Sequence, residues 1–202
     1  MKKRKYEYYE GLVRFCEDVL ASPEKAISVL NKALADFPND PKFQRALINL
    51  SGKIGDDEKL LQHAKAELQA DPRDPINYFN LAIAYQRLKR LDEAIFNYKK
   101  CIELDNSNFD AHFNLGGIYY NQGVKVLQNI KESKEITFTD YQKDGEALEK
   151  DANDFFIKAL PHFEVCAALD PLNRKVLIPL EFIYRRLKME EKARRVTNLL
   201  NQ

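Results

Sequence analysis

The sequence predicts an all-α protein assembled from antiparallel helix pairs, and three observations lead to that reading. Apolar residues recur at helical spacing along almost the whole chain, as at Tyr8, Leu12, Phe15, Val19 and Leu20. A pattern of aromatic and small residues returns after 34 positions: Tyr78, Leu81, Ala82 and Tyr85 are answered by His112, Leu115, Gly116 and Tyr119. Pro38 and Pro72, also 34 apart, set the same period without using the aromatic positions. Only seven glycines and eight prolines occur among 202 residues, so extended disorder is not expected. In such an array each unit buries its apolar face on its neighbours, and length alone does not divide the chain into domains.

Residues 4–20 read as a first helix that fits the period poorly and serves as a cap or a worn first helix. At Ser22-Pro23-Glu24 a helix starts clearly: Ser caps free amides, Pro suits the first helical position and Glu complements the dipole. Ala26, Leu30 and Ala33 line its inner face, and Pro38 ends it. Asp40-Pro41 opens the next helix, with Leu47 and Leu50 inside, and its partner carries Leu60, Leu61, Ala64 and Leu68 up to Asp71-Pro72. Asp74-Pro75 opens the most regular pair, which continues through Ala94, Tyr98 and Cys101 to a turn at Asn106.

The fourth pair breaks the period. Lys89 and Ala94 are five residues apart, whereas the equivalent Gly123 and Ala159 are 36 apart, so 31 residues have been added between the two helices. Val126, Leu127 and Ile130 continue the first apolar stripe, and Tyr141, Leu148, Ala152, Phe155 and Phe156 form a matching one. With a turn at Ile136-Thr137-Phe138-Thr139-Asp140, the spacing predicts a projecting antiparallel helical hairpin over 124–158. Pro161 removes a backbone hydrogen bond and is expected to bend the second long helix. The period resumes at Cys166, Leu169, Asp170 and Pro171, and closes with Leu177, Leu180, Tyr184, Leu187, Ala193, Val196 and Leu200. Pro179 and Glu181 depart from the pattern, as suits a terminal cap. Residues 174–202 carry eight Lys or Arg against three Glu, read as a solvated end face.

These positions together resemble the tetratricopeptide repeat (TPR), whose signature is W-x2-L-G-x2-Y, then A-x3-F, then P. The resemblance covers about four and a half repeats: residues 7–40, 41–74, 75–108, 109–173 with the insertion 124–158, and a capping repeat over 174–202. It implies a right-handed superhelical solenoid of antiparallel helix pairs, with 1–202 as a single domain. It also implies a non-enzymatic scaffold for a protein or peptide partner.

Composition narrows the alternatives. A formal net charge of +1 gives no long-range steering toward nucleic acid or anionic lipid. The sequence holds no apolar run long enough for a membrane span. Met-Lys-Lys-Arg-Lys is followed by Tyr-Glu-Tyr-Tyr-Glu, which lacks the apolar core of a signal peptide, so the chain as it stands reads as cytoplasmic. An exported, periplasmic location is the alternative, because the long repeat-internal hairpin is similar to those of some bacterial TPR proteins, several of them exported. Cys16, Cys101 and Cys166 are too far apart for a metal site or disulfide framework, and the last two stand in a small-residue slot, so burial as small hydrophobes is expected. There is no Gly-rich phosphate loop, no Ser-His-Asp set and no metal-ligand spacing around His63, His112 or His162. No enzyme, metal or cofactor is read from the chain, and His112, in an aromatic slot, is read as a packing residue.

The informative positions are those between the packing slots of first helices, which line the concave side of a TPR array. They include Lys42, Arg45 and Asn49, then Phe79, Asn80, Ile83 and Arg87, then Phe113, Asn114 and Gly117. Of these, Arg45, Asn49, Phe79, Asn80, Ile83, Arg87, Phe113 and Asn114 are the candidate peptide-groove residues. Asn80 and Asn114 occupy one slot, 34 residues apart, where the resemblance implies a grip on a peptide backbone; an amide both donates and accepts. Arg45, Asn49 and Asn80 also match the basic clamp by which TPR co-chaperones hold a terminal carboxylate. Asp110 and Asn114 replace its Lys and Arg, and an acid there repels a carboxylate. Phe79 and Phe113 instead suggest apolar anchors. Two functions follow: a groove that holds an extended peptide or partner helix, or an assembly role played by the hairpin 124–158 through self-association or docking.

Overall fold

Helix starts follow the sequence period. In this computed structural model, which describes residues 2–38, 40–54, 57–132 and 146–201, the first helices of three successive pairs begin at Pro41, Pro75 and Phe109, 34 residues apart. The helices are α1 (Lys2–Arg14), continuing as a π-helical turn over Phe15–Val19, α2 (Pro23–Asp36), α3 (Pro41–Ile54), α4 (Asp57–Ala70) and α5 (Pro75–Arg87). They continue with α6 (Leu91–Leu104), α7 (Phe109–Glu132), α8 (Glu146–Leu169), α9 (Arg174–Arg186) and α10 (Glu190–Leu200). No strand occurs among the described residues. The side-chain caps share the register. Asp40 Oδ1 accepts from the backbone N–H of Phe43 (3.0 Å), Asp74 Oδ1 from Ile76 (2.9 Å) and Asn108 Oδ1 from Ala111 (3.0 Å). Each satisfies amides that the first helical turn leaves free.

Two compact units result, Met1–Leu104 and Asp105–Gln202. In the first, α1 is bound to α2 and α3 rather than standing apart. The Tyr6 ring lies 4.7 Å from Phe43 and 5.4 Å from Phe37, and the Tyr9 hydroxyl donates to Asp36 at 2.5 Å. Val13, Cys16, Ala26, Leu30, Leu34, Phe43 and Leu50 form one core cluster there, and Leu60, Leu61, Ala64, Leu81 and Ala84 a second.

In the second unit, Leu115 of α7, Phe156 and Phe163 of α8, and Leu177 and Ile183 of α9 are all buried. The 24-residue α7 and α8 extend the fourth pair well beyond the 13- and 14-residue helices of the third. The described parts of the insertion, 124–132 and 146–158, are helical. The expected turn at 136–140 and Tyr141 lie outside the described residues, as does the side chain of Leu148. The base of the hairpin is core rather than projection: Ala152 and Phe156 are completely buried, and Arg186 of α9 reaches Asn153 (3.0 Å) and Glu149 (3.2 Å). Helix α8 runs unbroken through Pro161, on an exposed face where the Ile157 carbonyl that loses its donor is open to solvent.

Gly123 records how the insertion joined the repeat. One period earlier, Lys89 turns the chain between α5 and α6 with φ 61°, and Lys188 does the same between α9 and α10 with φ 59°. At Gly123 the helix continues instead. A Cβ at this position would lie 2.8 Å from the Phe156 ring and 3.1 Å from the Ala152 carbonyl, so glycine permits the close approach of α7 and α8.

Candidate functional site

The second unit offers a clean first-helix face. On α7, Phe109 and Phe113 stack one turn apart, with centroids 6.0 Å apart and planes 7° from parallel, and Phe113 meets Phe163 edge-on at 6.1 Å. Phe113 is thus held by aromatic neighbours while remaining half-exposed. Beside it, Asn114 is half-exposed and makes no hydrogen bond to another described residue. Gly116 and Gly117 part company. A Cβ on Gly116 would press on His162 and Phe163 at 3.2–3.4 Å, whereas one on Gly117 would meet nothing within 4 Å. Phe113, Asn114 and Gly117 therefore make a strip with an apolar anchor, an unengaged amide and an open backbone.

The first unit treats its equivalent residues differently. Asn80 is buried, 4% exposed, and its amide donates to the Glu67 carboxylate, so it does not share the exposure of Asn114 that the common slot predicts. The cause is Glu67, whose equivalent one period later is Cys101. Arg87 is tied to Asp57, Nε to Oδ1 at 2.7 Å, and Lys42 to Glu10. Phe79 rests against Tyr98 with centroids 5.9 Å apart, and Ile83 packs on the Leu60–Leu81 cluster. Arg45 stands exposed on α3 and makes contacts of its own, while the side chain of Asn49 lies outside the described residues. Asn80 and Arg87 thus serve the interior of the unit before any ligand is considered.

A feature the sequence reading missed lies between α2, α3 and α4: a cavity of about 630 Å³ bounded by Ile27, Leu34, Ser51, Leu60, His63 and Glu67. Its origin is a deficit of side-chain volume. Where the third repeat places Tyr78, Tyr85 and Tyr98, the second has Gln44, Ser51 and Ala64, one period earlier in each case. All three replacements are buried, so three rings are exchanged for much smaller groups. Behind the cavity a narrow crevice continues to Gln44, Ala64 and Asn80. Asn77, which lines the cavity, uses its amide N–H groups on the carbonyls of Asp71 (2.9 Å) and Glu67 (3.3 Å), leaving Oδ1 buried without a partner. Gln44 donates to the Pro38 carbonyl at 3.1 Å, and its Oε1 is also buried and unpartnered. Each such orphan costs about 1–3 kcal/mol. Burial holds the Glu67 carboxyl above the ordinary carboxylate range, against the opposing pull of His63 at 3.6 Å and the Asn80 amide. The signal in the sequence was a charged residue in the small-residue slot of a second helix, together with three vacated aromatic slots.

Comparison with known proteins agrees with this architecture. A profile described as TPR repeat matches residues 87–123, which span the turn into α6, that helix, and α7 as far as Gly123. The chain carries tetratricopeptide repeats. Among solved structures, MamA is similar with a TM-score of 0.59 and 16% identity, covering 96% of this chain and 88% of that one. YrrB, described as a TPR protein with an unusual peptide-binding site, is similar with a TM-score of 0.53 and 15% identity, covering 95% and 82%. At such identities the likeness shows the fold. A curated Caenorhabditis elegans protein named Protein O-mannosyl-transferase F38B6.6 is 28% identical over 98 residues. That match spans 48% of this chain and 14% of the relative's length.

The remaining titratable groups of this TPR chain are structural in their surroundings. Among the described residues, no group of three or more His, Cys, Asp or Glu is placed to hold a metal ion. All three cysteines are buried and free; burial pushes the Cys166 thiol up to about 12, and its Sγ donates to the Phe109 carbonyl at 3.5 Å. His112 fills its aromatic slot and is 6% exposed. Its Nε2 lies 3.2 Å from the Asn106 carbonyl and its Nδ1 lies 3.0 Å from His162 Nδ1. One tautomer satisfies both contacts: His112 Nε2–H donates to Asn106, and His162 Nδ1–H donates to the bare His112 Nδ1.

Proposed function

We propose that this TPR chain is a non-enzymatic scaffold that holds an extended peptide or partner helix against its first-helix faces, with Phe113, Asn114 and Gly117 as the principal contacts. The observation that carries the reading is the α7 strip. Phe113 supplies apolar area, Asn114 has an amide that can pair with any peptide group, and Gly117 lets a backbone approach without obstruction. In the first unit, taken by itself, Arg45, Asn49, Phe79 and Ile83 are the proposed contacts on α3 and α5, with Asn80 and Arg87 as supports. No helix among the described residues is long and apolar enough to cross a membrane. The partner on this reading is a protein, in the cytoplasm or, if the chain is exported, in the envelope.

Gly117→Leu tests this. The substitution replaces a poor helix former, so helix stability should rise by about 1 kcal/mol, while the new side chain fills the strip. Partners captured by the intact chain should be lost to Gly117→Leu and weakened by Asn114→Ala, with melting temperatures equal to or above the parent. Undiminished capture by both variants rules the strip out. The second reading, an assembly role for the hairpin 124–158, is supported by the contacts of Arg186 with Glu149 and Asn153, which tie the start of α8 to α9.

A further inference from the structure

Helix α1 has two faces of opposite character. Inward, Val13 and Cys16 are buried, and the Tyr6 and Tyr9 rings pack against their cluster. Outward, Tyr8 is 62% exposed, Phe15 48% and Val19 66%, with Leu12 half-buried among them. Spacings of four, three and four put these residues in one row along the helix and its π-helical turn. Such a row exceeds the scattered single apolar residues that a surface normally carries. Gly11 lies in the row between Tyr8 and Leu12, mid-helix, where glycine is unfavourable. A Cβ there would meet nothing within 4 Å, so this notch does not serve the chain's own packing; it admits a close approach from outside. Beside the apolar row runs a second one of alternating sign: Arg4, Glu7, Arg14 and Asp18, all exposed. None of them makes an ion pair with another described residue, whereas Lys5 and Glu10 of the same helix are tied inward to Asp36 and Lys42.

The spacing selects the occupant. Tyr8, Gly11, Leu12 and Phe15 are placed symmetrically about the Gly11–Leu12 peptide bond, and Arg4 and Val19 extend the row by four residues on either side. A second α1 laid antiparallel across the first therefore sets Tyr8 beside Phe15 of the other copy and brings the two glycine notches together. The same arrangement sets Arg4 near Asp18 and Glu7 near Arg14, each twice, whereas a parallel pair in register would set every charge against its like. We propose that the outward face of α1 is a two-fold interface on which a second copy of this chain docks antiparallel, centred on Gly11 and Leu12. One patch then serves both copies, as a closed symmetric pair requires. The row is about 16 Å long, so the contact is small and the dimer belongs to the weak end of specific association.

Sedimentation of the full chain from about 1 μM to about 1 mM tests this, with a monomer–dimer equilibrium of dissociation constant about 0.1 mM expected. Arg4→Asp alone and Asp18→Arg alone should each weaken it by about tenfold or more. The two together should restore it to within about threefold, because they exchange the signs of an antiparallel pair. Phe15→Asp, at an exposed position, should abolish the dimer and leave the monomer's melting temperature unchanged. Under mild oxidation Gly11→Cys should cross-link two copies and Arg4→Cys should not, since antiparallel helices hold the latter positions about 20 Å apart and the native cysteines are buried. A chain that stays monomeric to about 1 mM overturns the proposal and leaves the face to a different protein. A dimer indifferent to Phe15→Asp, or single reversals that the double does not rescue, overturns it as well. Gly117→Leu and replacement of residues 133–145 by a short turn should both leave the dimer unchanged, so the α7 strip and self-association through the hairpin are tested apart from it.

Discussion

At the scale of single residues, the His112–His162 contact has a consequence in solution. Burial lowers the affinity of His112 for a proton, while the Asn106 carbonyl and Asp105 act weakly the other way. A second proton would also set two imidazolium rings against each other across 3.0 Å. The folded state therefore binds this proton less readily than the unfolded chain, whose histidine titrates near about 6.5. A depressed histidine contributes stability that is present above the unfolded value and is lost as pH falls from there through the folded one. The melting temperature should accordingly drop as the pH falls below about 6.5, and His112→Tyr, which refills the aromatic slot with a group neutral in this range, should flatten the drop. Thermal melts of the two chains across that window check it, and equal slopes would remove His112 as the cause. The residue's packing role was legible from its slot in the period. Its partner was not, because His162 is 50 positions away across the insertion.

At the scale of elements, the described residues of the insertion belong to the core of the second unit. The apolar stripes announced that α7 and α8 would lengthen together, and they do. Sequence spacing alone did not reveal how deeply the insertion enters the core, because that depends on which residues α9 brings against it. Phe182 of α9 meets both Tyr120 (5.7 Å) and Phe156 (5.4 Å), and Arg186 reaches over to Glu149 and Asn153. Gly123 permits this layer by removing a Cβ that would otherwise collide with Phe156. Excision of 125–155 would discard Ala152, the Asn153 oxygen that accepts from Arg186 Nε and the Glu149 carboxylate that faces its guanidinium, leaving a half-buried charge without its counter-charge. Such a loss costs several kcal/mol, a large share of the stability of a domain this size. Replacing only residues 133–145 by a short turn should therefore preserve the melting temperature within a few degrees, whereas the longer excision should abolish the cooperative melt of the second unit. Circular dichroism melts of both deletions decide this. The trimmed chain, if folded, is also the correct material for testing the hairpin's assembly role, since any lost association can then be assigned to residues 133–145.

At the scale of the whole molecule, the 34-residue period was the most legible feature because it is written three times over, in prolines, caps and ring residues. The cavity went unread for a complementary reason. A search for the repeat looks for residues that are present, whereas Gln44, Ser51 and Ala64 matter for the rings they are not, and Glu67 for a charge in a slot that elsewhere takes alanine or cysteine. That contrast predicts unequal halves. In residues 105–202, Tyr119, Phe163 and Tyr184 fill the ring positions, Phe156 adds a further buried ring, and edge contacts join Tyr120 to Phe163 and Phe182. Residues 1–104 hold a cavity of about 630 Å³ and two orphaned acceptors in their second repeat. Aromatic side chains each contribute about 3–5 kcal/mol to a core relative to alanine, and unfilled space withdraws much of that. Expressed separately, the fragment 105–202 should be helical and melt in one cooperative transition. The fragment 1–104 should melt lower and more broadly. Scanning calorimetry of the two fragments measures both the midpoint and the width. A fragment 1–104 more stable than 105–202 would show that the cavity is not the weak point, and that the second repeat draws its stability from contacts other than the missing rings.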